Sequence, residues 1–103
     1  MKNNLSFGDA IEAMNNGELV SRAGWNGKKM FVYKTIGNTV NKDFIPKFAS
    51  LPPKVKQVLI EKDIDVIFNS SITMFTALGE MQPGWLASQA DILATDWCIL
   101  NVN

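Results

Sequence analysis

Apolar positions near the start of the chain recur at helical spacing. Phe7, Ala10, Ile11 and Met14 stand at i, i+3, i+4 and i+7 and make one stripe. Ser6 precedes the stripe and Asp9 follows three residues on, a short capping box, and Gly17 closes the predicted helix as a left-handed cap. The period then shortens. Residues 19–22 read as a short strand and residues 30–36 as a longer one, with Phe31, Tyr33 and Thr35 on one face and Met30, Val32, Lys34 and Ile36 on the other. Between them Ala23-Gly24-Trp25-Asn26-Gly27-Lys28 predicts a turn, because glycine and asparagine tolerate positive φ. Residues 37–43 are loop-like, and Pro52-Pro53 marks a boundary, with Pro53 placed as the first residue of a short helix ending at Lys62. Its apolar face is Val55, Val58 and Leu59. Residues 64–68 and 71–77 predict strands around an Asn69-Ser70 break, and residues 78–84 a loop punctuated by Gly79, Pro83 and Gly84. Ser88 is placed to cap a helix through Ala94, with Asp91 at the capping-box position, and residues 97–102 form a closing strand. That order predicts an α+β fold, a small antiparallel sheet with an N-terminal helix, an inserted short helix and a C-terminal helix–strand.

Length and composition narrow the function. The 103 residues, 47% of them hydrophobic and 19% charged, make a single domain over 1–103 with one core. No apolar run approaches the roughly 20 residues of a membrane span, and the opening MKNNLSFGDA lacks a signal-peptide core, so the cytoplasm is the expected compartment. There is no His and one Cys, which excludes a Ser-His or Cys-His catalytic pair, a His-containing zinc site and an internal disulfide. No cofactor is expected. Ten basic residues balance ten acidic ones, so bulk attraction to DNA or an anionic membrane is not expected either. The balance conceals a polarity. Residues 20–62 carry nine basic side chains against Asp43 and Glu61, whereas no Lys or Arg follows Lys62. Either the segments interleave and neutralise one another, or the middle segment forms a basic surface suited to a small phosphorylated ligand.

Two stretches carry candidate chemistry. In Gly24-Trp25-Asn26-Gly27-Lys28, glycines let the backbone approach a ligand, Trp25 offers a stacking face, Asn26 an amide and Lys28 a phosphate partner. The same residues also suit a hairpin whose tryptophan covers the edge of the core. In Trp85-Leu86-Ala87-Ser88-Gln89-Ala90-Asp91, a helix start beside Ser88 and Gln89 tolerates an anion, and Asp91 suits a ribose hydroxyl. A capped helix packed by Trp85 and Trp97 accounts for it equally. Catalysis finds little support: no phosphate-binding glycine loop occurs, and Ser70 and Ser71 have no His to activate them. Asp91 and Asp96 are five apart, a spacing that does not set them on one helix face, and Cys98 alternates with Trp97 and Ile99 as a buried thiol would.

At these stretches the chain resembles a known phage family. Phe7-x2-Ala10 with Gly17, Arg22-Ala23-Gly24-Trp25-Asn26-Gly27-Lys28 with Met30-Phe31, and Trp85-Leu86-Ala87-Ser88-Gln89-x-Asp91-Ile92-Leu93-Ala94-x-Asp96-Trp97 resemble the Thoeris anti-defence type two domain. The resemblance implies a sponge and not a catalyst. Such proteins sequester the cyclic ADP-ribose signal (glycocyclic ADP-ribose) made by bacterial TIR-domain enzymes, and some also bind cyclic oligonucleotides of the CBASS pathway at a separate site. It further implies a homo-oligomer, usually a tetramer, with pockets between subunits. Carried onto this chain, Trp25 and Trp85 would flank the ligand, Asn26, Ser88, Gln89 and Asp91 would hydrogen-bond it, Lys28 or Arg22 would meet phosphate, and Phe31 would line the cleft. Ala90 stands where the family commonly has Thr. The segment 42–68 is longer than the usual connector, and its Lys42, Lys47, Lys54, Lys56 and Lys62 make either an oligonucleotide pocket or a solvated helix face.

Overall fold

A computed structural model describes residues 2–25 and 29–102. The first helix, α1, spans Phe7–Asn15. Ser6 and Asp9 form the expected reciprocal capping box, the Ser6 hydroxyl accepting from the Asp9 N–H and the Asp9 carboxylate from the Ser6 N–H, each at 3.1 Å. Gly17 follows the helix at φ +85°. Ala10, Ala13 and Met14 are buried, and the two alanines let the helix lie close on the sheet beneath.

That sheet is antiparallel throughout. Its strands are β1 (Val20–Arg22), β2 (Phe31–Thr35), β5 (Ser71–Phe75), β6 (Met81–Pro83) and β7 (Trp97–Ile99), in the order β6-β5-β2-β1-β7. Val20 pairs with Val32 and with Ile99, and Arg22 with Trp97. Period-2 alternation sends Val20, Val32, Trp97 and Ile99 to the face that α1 covers, where with Ala10, Ala13 and Met14 they build the core. Lys34 shares that face but escapes it, its ammonium donating to Oδ1 of Asn15, the last residue of α1, at 3.2 Å. On the other face Ser21 and Cys98 sit opposite each other, and the buried Cys98 thiol donates to the Ser21 carbonyl at 3.3 Å. A last short helix, α3 (Gln89–Leu93), packs against α1.

Residues Ile36–Ser70 form a compact unit of their own, distinct from the unit of Met1–Thr35 and Ser71–Asn103. It contains β3 (Asn38–Val40), a 3-10 helix Lys42–Lys47, α2 (Pro53–Lys62) and β4 (Val66–Phe68), with β3 and β4 paired antiparallel. Ile45 is its fully buried residue, Phe48 stacks on Phe68, and Pro53 opens α2 as expected.

Helices and sheet thus match the predicted α+β class. Two predicted loops do not stay loops. Residues 37–43 contain β3 and residues 78–84 contain β6, both three residues long. Neither has an alternating pattern to reveal it. β6 is an exposed edge strand ending in Pro83, tolerated there because an edge leaves one side of the ladder unpaired.

Candidate functional site

The two motif stretches meet around one arginine. Arg22 ends β1 opposite Trp97, so its side chain emerges on the core face beside the start of β7 and the capped end of α3. Its Nε donates to Asp96 Oδ1 at 2.9 Å and its Nη1 to Asp91 Oδ1 at 2.8 Å. Asp91 is itself fixed by the second capping box: its Oδ2 accepts the Ser88 N–H at 3.0 Å, and its own N–H donates to the Ser88 hydroxyl at 3.1 Å. The Asp91 carbonyl accepts the indole N–H of Trp97 at 2.9 Å, which satisfies the polar tip of a fully buried ring.

The chain after Arg22 folds into a single 3-10 turn, Ala23–Trp25. The Ala23 N–H donates to the Asp96 carbonyl at 3.0 Å and the Gly24 N–H to Asp96 Oδ2 at 2.9 Å. A Cβ on Gly24 would lie 3.2 Å from that oxygen, a tight contact that the Asp96 side chain would have to ease by a few tenths of an ångström.

One cation faces two carboxylates here, so the cluster is net negative. Their side chains are 20%, 14% and 32% exposed for Arg22, Asp91 and Asp96, so the Arg22–Asp91 pair is partly shielded while Asp96 keeps more contact with solvent. Hydrogen bonds to Asp96 and then Asp91 raise the Arg22 pKa. Asp96 is held below the ordinary carboxylate range by Arg22 first, against some desolvation, with help from the Gly24 N–H. At Asp91 burial pushes upward, but the bonds from Arg22 and Ser88 together outweigh it and the pKa is lowered.

Above this knot three tryptophans meet edge to face. Trp25 lies 5.5 Å from Trp97 and 6.3 Å from Trp85 between ring centroids, and Trp85 lies 6.4 Å from Trp97. Trp85 is tied to the sheet by its backbone N–H, which donates to the Ile72 carbonyl at 2.9 Å. Trp97 is buried, whereas Trp25 and Trp85 pack against the core and remain partly exposed. These rings thus cover the edge of the core, as the hairpin reading of Trp25 and the packed-helix reading of Trp85 expected.

Of the nominated residues, the fold gathers Arg22, Trp25, Trp85, Ser88 and Asp91, with Gln89 exposed at the start of α3. Asn26 and Lys28 lie outside the described residues; Lys29, next to them, is exposed. Phe31 is not gathered. It stands on the sheet face opposite Val32, stacked on Phe75 at 5.1 Å, away from the tryptophans. In the inserted unit Lys42 pairs with Asp63 at 3.1 Å, Lys56 donates to the Pro46 carbonyl at 3.0 Å and Lys47 lies 5.9 Å from the Phe44 ring. Sequence reasoning did not nominate Asp96 as a site residue. The available signal was the alternation of Arg22 with Val20 in the predicted strand, which turns the arginine toward the core face, where it needs a carboxylate.

Residues 5–100 match the family described as the Tad2-like, Thoeris anti-defense 2-like domain. The chain is also 34% identical over 101 residues to the protein named Thoeris anti-defense 2 of Bacillus phage SP01, an alignment spanning 98% of this chain and 100% of that relative.

Proposed function

This chain belongs to the Thoeris anti-defense 2-like family, whose role is phage anti-defence, and on that premise we propose that it acts by sequestration. It binds a cyclic ADP-ribose-type signal, glycocyclic ADP-ribose, in the cytoplasm of the infected cell and keeps it from its receptor without cleaving it. The observation that carries the reading is the tryptophan pair Trp25 and Trp85, packed on the core yet partly exposed, beside the Arg22–Asp91–Asp96 knot.

Each part of the ligand has a partner of suitable chemistry. The adenine face stacks on an exposed indole, an interaction worth about 1–3 kcal/mol per base. Ribose hydroxyls donate to the carboxylates of the knot, which keep unused lone pairs, and Ser88, Gln89 and Asn26 supply further polar contacts. Arg22 already spends its charge on two carboxylates, so the diphosphate falls to Lys28 and Lys29, which follow the turn. Among the described residues of this set the only hydroxyl, that of Ser88, accepts the Asp91 N–H as a helix cap, a structural use that suits binding over hydrolysis.

The same reading makes the protein a homo-oligomer, a tetramer by family resemblance, with its pockets completed between subunits. Leu86 and Leu93 support that: they are 89% and 78% exposed, beside the site, where an isolated chain gains nothing from large apolar side chains. Phe31 then reaches a ligand only from a neighbouring subunit.

Calorimetric titration with glycocyclic ADP-ribose tests the proposal. Trp25→Ala is expected to weaken binding by one to two decades while the far-ultraviolet spectrum of the variant stays that of a folded chain. Unchanged affinity would remove Trp25 from the site.

A further inference from the structure

Three consecutive residues before Trp25 all attach to one side of the molecule through a single residue. Arg22 Nε donates to Asp96 Oδ1, the Ala23 N–H to the Asp96 carbonyl and the Gly24 N–H to Asp96 Oδ2, at 2.9, 3.0 and 2.9 Å. From this we infer that Asp96 is the positioning residue of the ligand site: it grips the turn 22–24 and thereby sets the place of the Trp25 ring. The inference rests on the sequestration reading for its ligand, but not for its geometry.

Charge balance alone does not account for Asp96. Asp91 already neutralises Arg22, and a second carboxylate makes the cluster net negative at partly buried positions. The second carboxylate is therefore not needed to balance the charge of Arg22, and its other contacts set it apart. What it does is accept the Gly24 N–H. The turn it meets is a single 3-10 turn of three residues, a conformation with little stability of its own. Two of its backbone N–H groups end on Asp96, and the residue that follows them is Trp25. Asp91, by contrast, serves α3, through its capping box, and Trp97, through its carbonyl.

An asparagine at position 96 has the same shape but one acceptor oxygen. Its amide nitrogen must face either the Arg22 Nε–H or the Gly24 N–H, donor against donor. The turn then loses one of its anchors while the Arg22–Asp91 pair, the α3 cap and the Trp97–Asp91 bond remain. Gly24→Ala strains the same contact from the other side, with its Cβ 3.2 Å from Oδ2 and both charges kept.

The test uses the full chain labelled with nitrogen-15, in which three tryptophan indole N–H signals are assigned by single Trp→Phe exchange. In ligand-free Asp96→Asn the Trp25 signal is expected to shift or broaden, while the Trp97 indole N–H, bonded to the Asp91 carbonyl, keeps its protection from solvent exchange. Affinity for glycocyclic ADP-ribose is expected to fall at least about tenfold, and Asp96→Asn added to Trp25→Ala is expected to cost nothing further, because both act through one ring. A Trp25 signal at its wild-type position would overturn the inference, as would losses that multiply in the double variant. Should Asp96→Asn fail to fold, Gly24→Ala is read in the same way. A wild-type chain that binds no nucleotide would overturn the sequestration reading alone, since the indole signals decide the positioning without ligand.

Discussion

Trp97 carries the largest single share of the core. It is fully buried, touches Phe7, Trp25 and Trp85, and donates its indole N–H to the Asp91 carbonyl. Trp97→Ala is expected to cost about 3–5 kcal/mol, most of the stability of a domain this small, and a urea titration of the variant measures it. Gly37 answers to a different constraint. A Cβ there would come within 2.6 Å of the Phe68 carbonyl and 2.7 Å of the Ser70 N–H, both backbone atoms that cannot swing aside. Gly37→Ala is therefore expected to lower the melting temperature, whereas an exposed polar exchange such as Lys54→Gln leaves it unmoved. At this scale the sequence was informative where chemistry is local to the side chain. Cys98 reads as buried from its alternation, and is buried. Trp25 reads as an aromatic in a turn, but its two ring neighbours come from 60 and 72 residues further on in the chain, a distance no local pattern spans.

Among elements, both capping boxes were legible because Ser6–Asp9 and Ser88–Asp91 are three residues apart and need no partner from elsewhere. β3 and β6 were not, because three residues make a strand only when another strand pairs with them. The knot of Arg22, Asp91 and Asp96 joins elements that are far apart in sequence, and its titration is predictable. Both carboxylates have lower pKa values in the fold than in the open chain. The stability they contribute is therefore complete above the ordinary aspartate pKa near 3.9 and is lost as the pH falls through their lower folded values. Acid denaturation should sharpen below about pH 4, and Asp96→Asn should flatten that limb, a difference that circular dichroism against pH resolves. The inserted unit gives a second prediction. Thr35 and Ser71 face each other at the end of the β2–β5 ladder. Replacing Ile36–Ser70 with Asn-Gly should close them as a two-residue hairpin. The shortened chain is expected to keep a cooperative melt and the three indole signals; loss of both would make the inserted unit necessary for the fold.

At the scale of the whole molecule, the charge run along the chain had two readings. The described contacts show interleaving in part: Arg22, from the basic stretch, is neutralised by Asp91 and Asp96 from the acidic end, and Lys42 by Asp63. The family was legible from the motif residues, since a motif repeats across relatives even where its geometry is hidden. What stayed hidden was the geometry within it, with Arg22 and the 23–24 turn bonded to Asp96, Trp97 buried, and Trp25 and Trp85 only partly exposed at the edge of the core. Sedimentation at micromolar concentration should find an oligomer, reduced to a monomer by Leu86→Asp with Leu93→Asp; a monomeric wild type would contradict pockets shared between subunits. The central claim is that the signal is held and not destroyed. A thermal melt with glycocyclic ADP-ribose at about 100 times its dissociation constant should show stabilisation of about 2.7 kcal/mol. Chromatography of the ligand released on heating should then recover it intact. A cleaved product, or a melt that the ligand does not move, would contradict the account.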